Sequence, residues 1–143
     1  MRDLQHGKDG SMSSNQPITY SPFAKVVGLT INSLDKEQSH CVLEVSERLL
    51  NVNGTVHGGA IYTLVDVGMG SALYAHMAEN ERCTTIENKI NYLAAVNSGV
   101  LSCRSKVVHK TRRIAVLESE IECNGEPVAR ATGTFYVTQA KPD

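Results

Sequence analysis

The sequence has no tryptophan, and aromatic residues make up only 5% of its 143 positions, so a stacking platform for nucleotide bases is poorly supported. It also lacks a basic block. Fourteen Lys and Arg against 15 Asp and Glu leave a formal charge of -1, which argues against nucleic acid as a general partner, because phosphate binding needs clustered cations. The four cysteines, Cys41, Cys83, Cys103 and Cys123, are far apart and form no CxxC pair. Metal-ligand spacing is therefore absent, no metal or cofactor is expected, and a reduced, cytoplasmic compartment is the simplest reading. The N-terminal stretch Met1 to Ser11 has no apolar core and does not read as a secretory signal. No long hydrophobic run is left to cross a membrane, since His57, Gly58, Gly59 and Asp66 interrupt the most apolar window.

What is present fits one α+β domain. A chain of this length with 41% hydrophobic residues builds a single core. Residues 1–20, rich in Gly, Ser, Asn and Gln, read as a flexible tail, and 21–143 as the folded domain. Pro22 suits the first turn of a short helix, Phe23 to Val27, which Gly28 would end. Two strands follow, Leu29 to Asp35 and Ser39 to Ser46. Leu49 to His57 reads as a loop, and Gly58 to about Met77 as one long helix, buried because almost every side is apolar or small. Four strands complete the order. Thr84 to Ala94 and Val100 to His109 are expected to pair through Asn97-Ser98-Gly99; the alternating strand Ile114 to Cys123 should turn at Asn124-Gly125 into Pro127 to Val137. An antiparallel sheet wrapped around one long central helix is the natural packing.

A further absence is the most informative. From Leu49 to Ala78 there is no lysine, arginine or glutamate, and the only carboxylate is Asp66. A carboxylate on an apolar helix must be paired, hydrogen-bonded or protonated, because removing it unpaired from water costs several kcal/mol. Catalysis is one role that can compensate that cost. A solvent-facing gap in the helix is the ordinary alternative, but the helical neighbours Tyr62, Thr63, Met69 and Gly70 carry no charge.

The start of the same helix offers a complementary group. Gly58 and Gly59 have no side chains to block access, and the first NH groups of a helix have no intrahelical partner, so they can receive a carbonyl oxygen that becomes negative in acyl transfer. The glycines also suit a tight loop-to-helix turn. Asp66 lies seven residues beyond Gly59, roughly 10 Å along the axis, farther than an aspartate reaches. If both groups act on one bond, they belong to two copies of the chain, with antiparallel helices about a twofold axis. An obligate homodimer is expected, with two such dimers joining as a dimer of dimers.

The stretch Asn51-Val-Asn-Gly-Thr-Val-His57-Gly58-Gly59, followed by Leu64-Val65-Asp66, resembles the N-x-x-G-x-x-H-G-G...D signature of hotdog-fold acyl-CoA thioesterases of the phenylacetate-pathway and thioesterase superfamily member 2 type. Thr85 to Leu93 resembles the next strand of that family, and the likeness runs from about Pro22 to Val137. It implies a hotdog fold and hydrolysis of an acyl-CoA thioester, with Asp66 as nucleophile or general base and the Gly58 NH of the other protomer polarising the carbonyl. Asn51 and His57 would orient water and thioester, Thr85 would contact that water, and Gly59 would help bind the substrate. Coenzyme A carries phosphates, and Lys106, His109, Lys110, Arg112 and Arg113 cluster where relatives place phosphate contacts, with Arg130 and Lys89 as weaker candidates. That run also reads as a solvated hairpin tip.

Two alternatives remain. A hotdog hydratase or dehydratase needs a catalytic His with a carboxylate, and its D-x-N-x-x-H motif is absent because position 51 is Asn. A non-enzymatic acyl-CoA sensor would bind without releasing thiol.

Overall fold

A computed structural model describes residues 21–141, and the expected tail, 1–20, lies outside them. The first helix, α1 (Pro22–Val27), is capped by Ser21, whose Oγ accepts from the Ala24 NH at 3.0 Å; it stops at Gly28. Strands β1 (Leu29–Leu34) and β2 (Ser39–Glu44) form a hairpin. Asp35 closes it, its Oδ1 accepting from the NH groups of Glu37 and Gln38. The long helix, α2, runs Gly58–Tyr74 and is followed by β3 (Glu81–Tyr92), β4 (Val100–Lys110), β5 (Ile114–Cys123) and β6 (Glu126–Gln139). The β5–β6 hairpin turns at Asn124 and Gly125, both with positive φ, 52° and 80°, which is the geometry that favours this dipeptide.

The six strands make one antiparallel sheet in the order β1-β2-β4-β5-β6-β3 around α2, the architecture expected of a hotdog fold. One expected pairing is overturned: β3 does not pair with β4. It lies at the far edge against β6, while β4 sits between β2 and β5. Burial explains the swap. Leu101 and Cys103 on β4 are fully buried and need strands on both sides, whereas every residue of β3 retains some exposure and tolerates an edge. Residues 93–99 are thus a crossover and not a hairpin turn. It is pinned by hydrogen bonds from the Leu93 NH to the Val128 carbonyl, from the Val56 NH to the Val96 carbonyl and from the Val45 NH to the Gly99 carbonyl.

The helix is only half buried in the single chain. Ile61, Leu64, Val65, Met69, Ala72 and Leu73 enter one core with Leu29, Ile31, Leu43, Leu117 and Ile121. Each of these side chains larger than alanine contributes roughly 1.5–3 kcal/mol on removal from water. The opposite face, with Gly59, Tyr62, Asp66, Gly70 and Tyr74, stays at least partly open, which corrects the reading of a helix buried all round.

Where α2 presses on the sheet, small residues set the spacing. Ser39 Oγ donates to the Gly68 carbonyl at 2.7 Å, and Ser105 and Ser119 share a 2.6 Å hydroxyl contact. A Cβ on Gly68 would stand 2.7 Å from Ser105 Oγ and 3.2 Å from Cys103 Sγ. We expect Gly68→Ala to destabilise the protein by about 1–3 kcal/mol through overpacking, read as a lower urea midpoint with an unchanged slope.

Candidate active site

Asp66 emerges from the middle of α2 on its open side, facing the inner surface of β3. Its Oδ1 accepts two hydrogen bonds, from Thr85 Oγ1 and from Asn88 Nδ2, both at 2.8 Å. Its Oδ2 has no partner among the described residues, so one oxygen is anchored and the other is free. Cys83, on the same face of β3, has its thiol pushed up by burial and then by the negative Asp66. It is held as the neutral thiol.

Thr85 and Asn88 are three residues apart, and in a regular strand they would point to opposite faces. A bulge brings them together. Thr85 pairs with Phe135 and Glu87 with Thr134, leaving Ile86 as the extra residue, 55% exposed. Beyond it the phase is reversed, so Asn88 faces α2 as Thr85 does.

The helix start is built by the preceding loop. His57 is the N-cap, and its Nδ1 accepts from the Gly59 NH at 2.8 Å, which places any proton of the neutral ring on the exposed Nε2. The Gly59 NH is thereby occupied. The Gly58 NH has no partner among the described residues and remains a donor. Tyr92 closes over this point, its hydroxyl donating to the Gly58 carbonyl at 3.0 Å. Its own ionisation is pushed up by burial and by Tyr62 close by. Beside Gly58 an open apolar groove of about 310 Å³ is lined by Val56, Ile61, Tyr92, Leu93, Ala95 and Val96.

The other expected residues are placed less directly. Asn51 spends its amide on its own loop, with Oδ1 accepting from the NH groups of Asn53 and Thr55 and Nδ2 donating to Thr55 Oγ1. It orders the approach to His57. The basic group is split by a second bulge between Val107 and His109. Lys106 lies on the outer face of the sheet in a 2.9 Å ion pair with Glu118, whereas Lys110 faces inward, 3.7 Å from Glu81. His109 is on the outer face, and Arg112 and Arg113 remain exposed at the tip, with Arg113 donating to the Tyr136 hydroxyl. Arg130 pairs with Glu120, and Lys89 donates to Asn91. Among the described residues no group of three or more His, Cys, Asp or Glu is placed to hold a metal ion, and no helix is long and apolar enough to cross a membrane.

Asn88 and Tyr92 are the site residues that sequence reasoning missed. Both lie in the segment likened to the family's next strand, but period two sets Asn88 on the wrong face, and nothing in the sequence marks Ile86 as a bulge.

Residues 53–129 match the model of the thioesterase superfamily. A conserved protein of Pseudomonas aeruginosa, PA5202, is 35% identical and superposes with a TM-score of 0.81 over 83% of this chain and 95% of its own. A variant of the phenylacetic acid degradation protein PaaI from Thermus thermophilus is 26% identical, with a TM-score of 0.75 over 81% of this chain and 98% of its own. A Saccharolobus solfataricus protein with a proposed esterase description, SSO1253, is 26% identical over 86% of this chain and 82% of its own length.

His57→Ala should cost about 1 kcal/mol by exposing the helix start. His57→Asn should restore most of it, since Asn also caps well; urea unfolding of the two variants and the parent makes the comparison.

Proposed function

The chain belongs to the thioesterase superfamily, and on that premise we propose that it hydrolyses an acyl-CoA thioester to the free acid and coenzyme A. The observation that carries this reading is the pair of unspent groups on one helix, the Asp66 Oδ2 and the Gly58 NH. Asp66 acts as general base or nucleophile. As base, Oδ2 takes a proton from water while the water oxygen bonds the thioester carbon; as nucleophile, Oδ2 itself forms that bond and water later opens the mixed anhydride. In both routes the carbonyl oxygen becomes negative, the C–S bond breaks, and the thiolate leaves and takes up a proton. An NH aimed at the developing oxyanion is worth about 10²–10³ in kcat.

The two groups cannot meet within one protomer. Eight residues of continuous helix put Gly58 about 12 Å from Asp66 along the axis. An antiparallel dimer solves this, with Tyr62, midway between them, at the twofold axis. The open face of α2 and the exposed edge strand β3 with Ile86 are the surfaces such a dimer needs. His57 shapes the Gly58 NH by capping the helix, Asn51 orders the loop before it, Gly59 lets the substrate approach, and Thr85 anchors Asp66. The basic tip lies beyond the C-terminal end of α2, beside Glu81 and Val137, where Arg112 and Arg113 with Lys110 can meet the phosphates of a coenzyme A bound at Asp66 of the same copy, while His109, on the outer face, stands farther off. Lys106, spent on Glu118, contributes least. The four cysteines are free thiols, in keeping with a reduced, cytoplasmic setting. Two such dimers pair further into a dimer of dimers.

Asp66→Asn should abolish thiol release from acyl-CoA esters with folding and dimerisation intact. Gly58→Pro removes the NH and suits the backbone, because proline is tolerated at the first helical position and His57, at φ -62° and ψ 134°, already has the backbone that precedes proline; its Cβ would stand 3.3 Å from the Tyr92 ring, a contact that Gly58→Ala shares and so controls for. It should lower kcat about 10²–10³-fold, while Gly58→Ala, which keeps the NH, stays within about tenfold of the parent. Mixing the two inactive homodimers and allowing exchange should restore about a quarter of the sites, since only a heterodimer assembles one intact site. No recovery in heterodimers demonstrated to have formed sinks the shared site. Arg112→Ala with Arg113→Ala should raise KM for CoA esters about tenfold, equivalent to ~1.4 kcal/mol, and leave N-acetylcysteamine thioesters, which lack phosphates, unaffected.

A further inference from the structure

We propose that Asn88, seated over Gly133, is a positioning residue that holds Asp66 by Oδ1 so that Oδ2 faces the reacting atom; the inference rests on the reading of Asp66 above. The first support is the shape of the contact. Thr85 and Asn88 both donate to the same oxygen at 2.8 Å, so the carboxylate plane is fixed by two donors from one strand and cannot rotate without losing both. Oδ2 takes no donor and is not among the buried unpartnered atoms, so it stays accessible to a reacting atom while Oδ1 carries the anchoring.

The second support is what Asn88 gives up. Its own Oδ1 is buried and has no hydrogen-bond partner. A buried acceptor left unmade is unfavourable, and the amide cannot flip to cure it, because flipping would point an oxygen at the Asp66 carboxylate. For folding, the bond the amide gives to Asp66 is offset by the acceptor it leaves unmade, the two being of similar size. A leucine of similar size would satisfy the packing and remove the orphan acceptor, so the amide is kept for its one donated bond.

The third support is that two other features of the sheet exist at the right place to seat it. The bulge at Ile86 turns Asn88 to the helix side. Directly across the ladder from Asn88 is Gly133, and a Cβ there would run into Asn88 Oδ1 and stand 2.6 Å from Met69 Sδ. A glycine in the interior of a strand weakens it and usually marks a close approach. Here the approaching group is the Asn88 amide, wedged between β6 and α2 and thereby denied other rotamers.

A positioning role separates activity from stability. Asn88→Leu should leave the urea midpoint close to the parent's, because the bond lost to Asp66 and the unpartnered acceptor removed are of similar size, while kcat on acyl-CoA falls on the order of 100-fold, the cost of about 1 Å of misplacement, and KM moves less than about threefold. Asn88→Ser, a smaller change, serves if the leucine variant does not fold, and the same kcat loss is expected. Parent-like kcat in either folded variant overturns the inference, as does a loss of activity that only follows a loss of stability. Asp66→Asn is assayed alongside. If it is inactive while Asn88→Leu is parent-like, only the role of Asn88 fails; if it remains active, the reading of Asp66 fails first.

Discussion

A single carboxylate in an uncharged helix has to be met by donors from somewhere, and the Thr63 and Ser71 hydroxyls of α2 are not available, since they bond back to carbonyls of their own helix. The donors come from β3. That requirement ties the position of the helix to the register of the edge strand, because Thr85 and Asn88 reach Oδ1 only while the Ile86 bulge keeps both on the inner face. It also ties β3 to β6 at one residue, Gly133, where any side chain would displace the amide. A strand, its neighbour and the helix are thus locked in mutual alignment around one oxygen.

The opposite oxygen, the Gly58 NH and the apolar groove are left unspent on the same side of the molecule. Their common neighbours are the open face of α2, with Tyr62 and Tyr74 at 40% and 45% exposure, and the inner face of β3 around Tyr92. Exposed tyrosines beside an edge strand are the make-up of a surface that association covers. The same rigid helix that fixes Asp66 keeps Gly58 beyond its reach, so the proposed chemistry and the proposed assembly stand on one geometric fact.

On the other side of α2 the constraint is distance. Gly68, Ser39, Ser105 and Ser119 are small and hydrogen-bonded among themselves or to the backbone, and they bring the helix axis close enough to the sheet for Asp66 to reach β3 at the margin. The thiols of Cys41 and Cys103 fill part of this layer; burial pushes Cys103 up to about 11 and Cys41 higher, so both behave as small apolar groups.

Local patterning by itself determined the elements. The uncharged window with Pro-free helical spacing marked α2, period two marked β5, and Asn124-Gly125 marked its turn, because each signal depends only on neighbours in the chain. The distance that separates Asp66 from Gly58, on which the proposed two-copy site rests, was legible too, since helical rise is the same in any context. Tertiary structure alone decided the rest. Which strand takes the edge depends on total burial from both sides, so β3 and β4 could not be told apart by their own sequences. The bulges at Ile86 and between Val107 and His109 arise from fitting one strand to another; they brought Asn88 to Asp66 and parted Lys106 from Lys110, inverting what sequence spacing implied in both places.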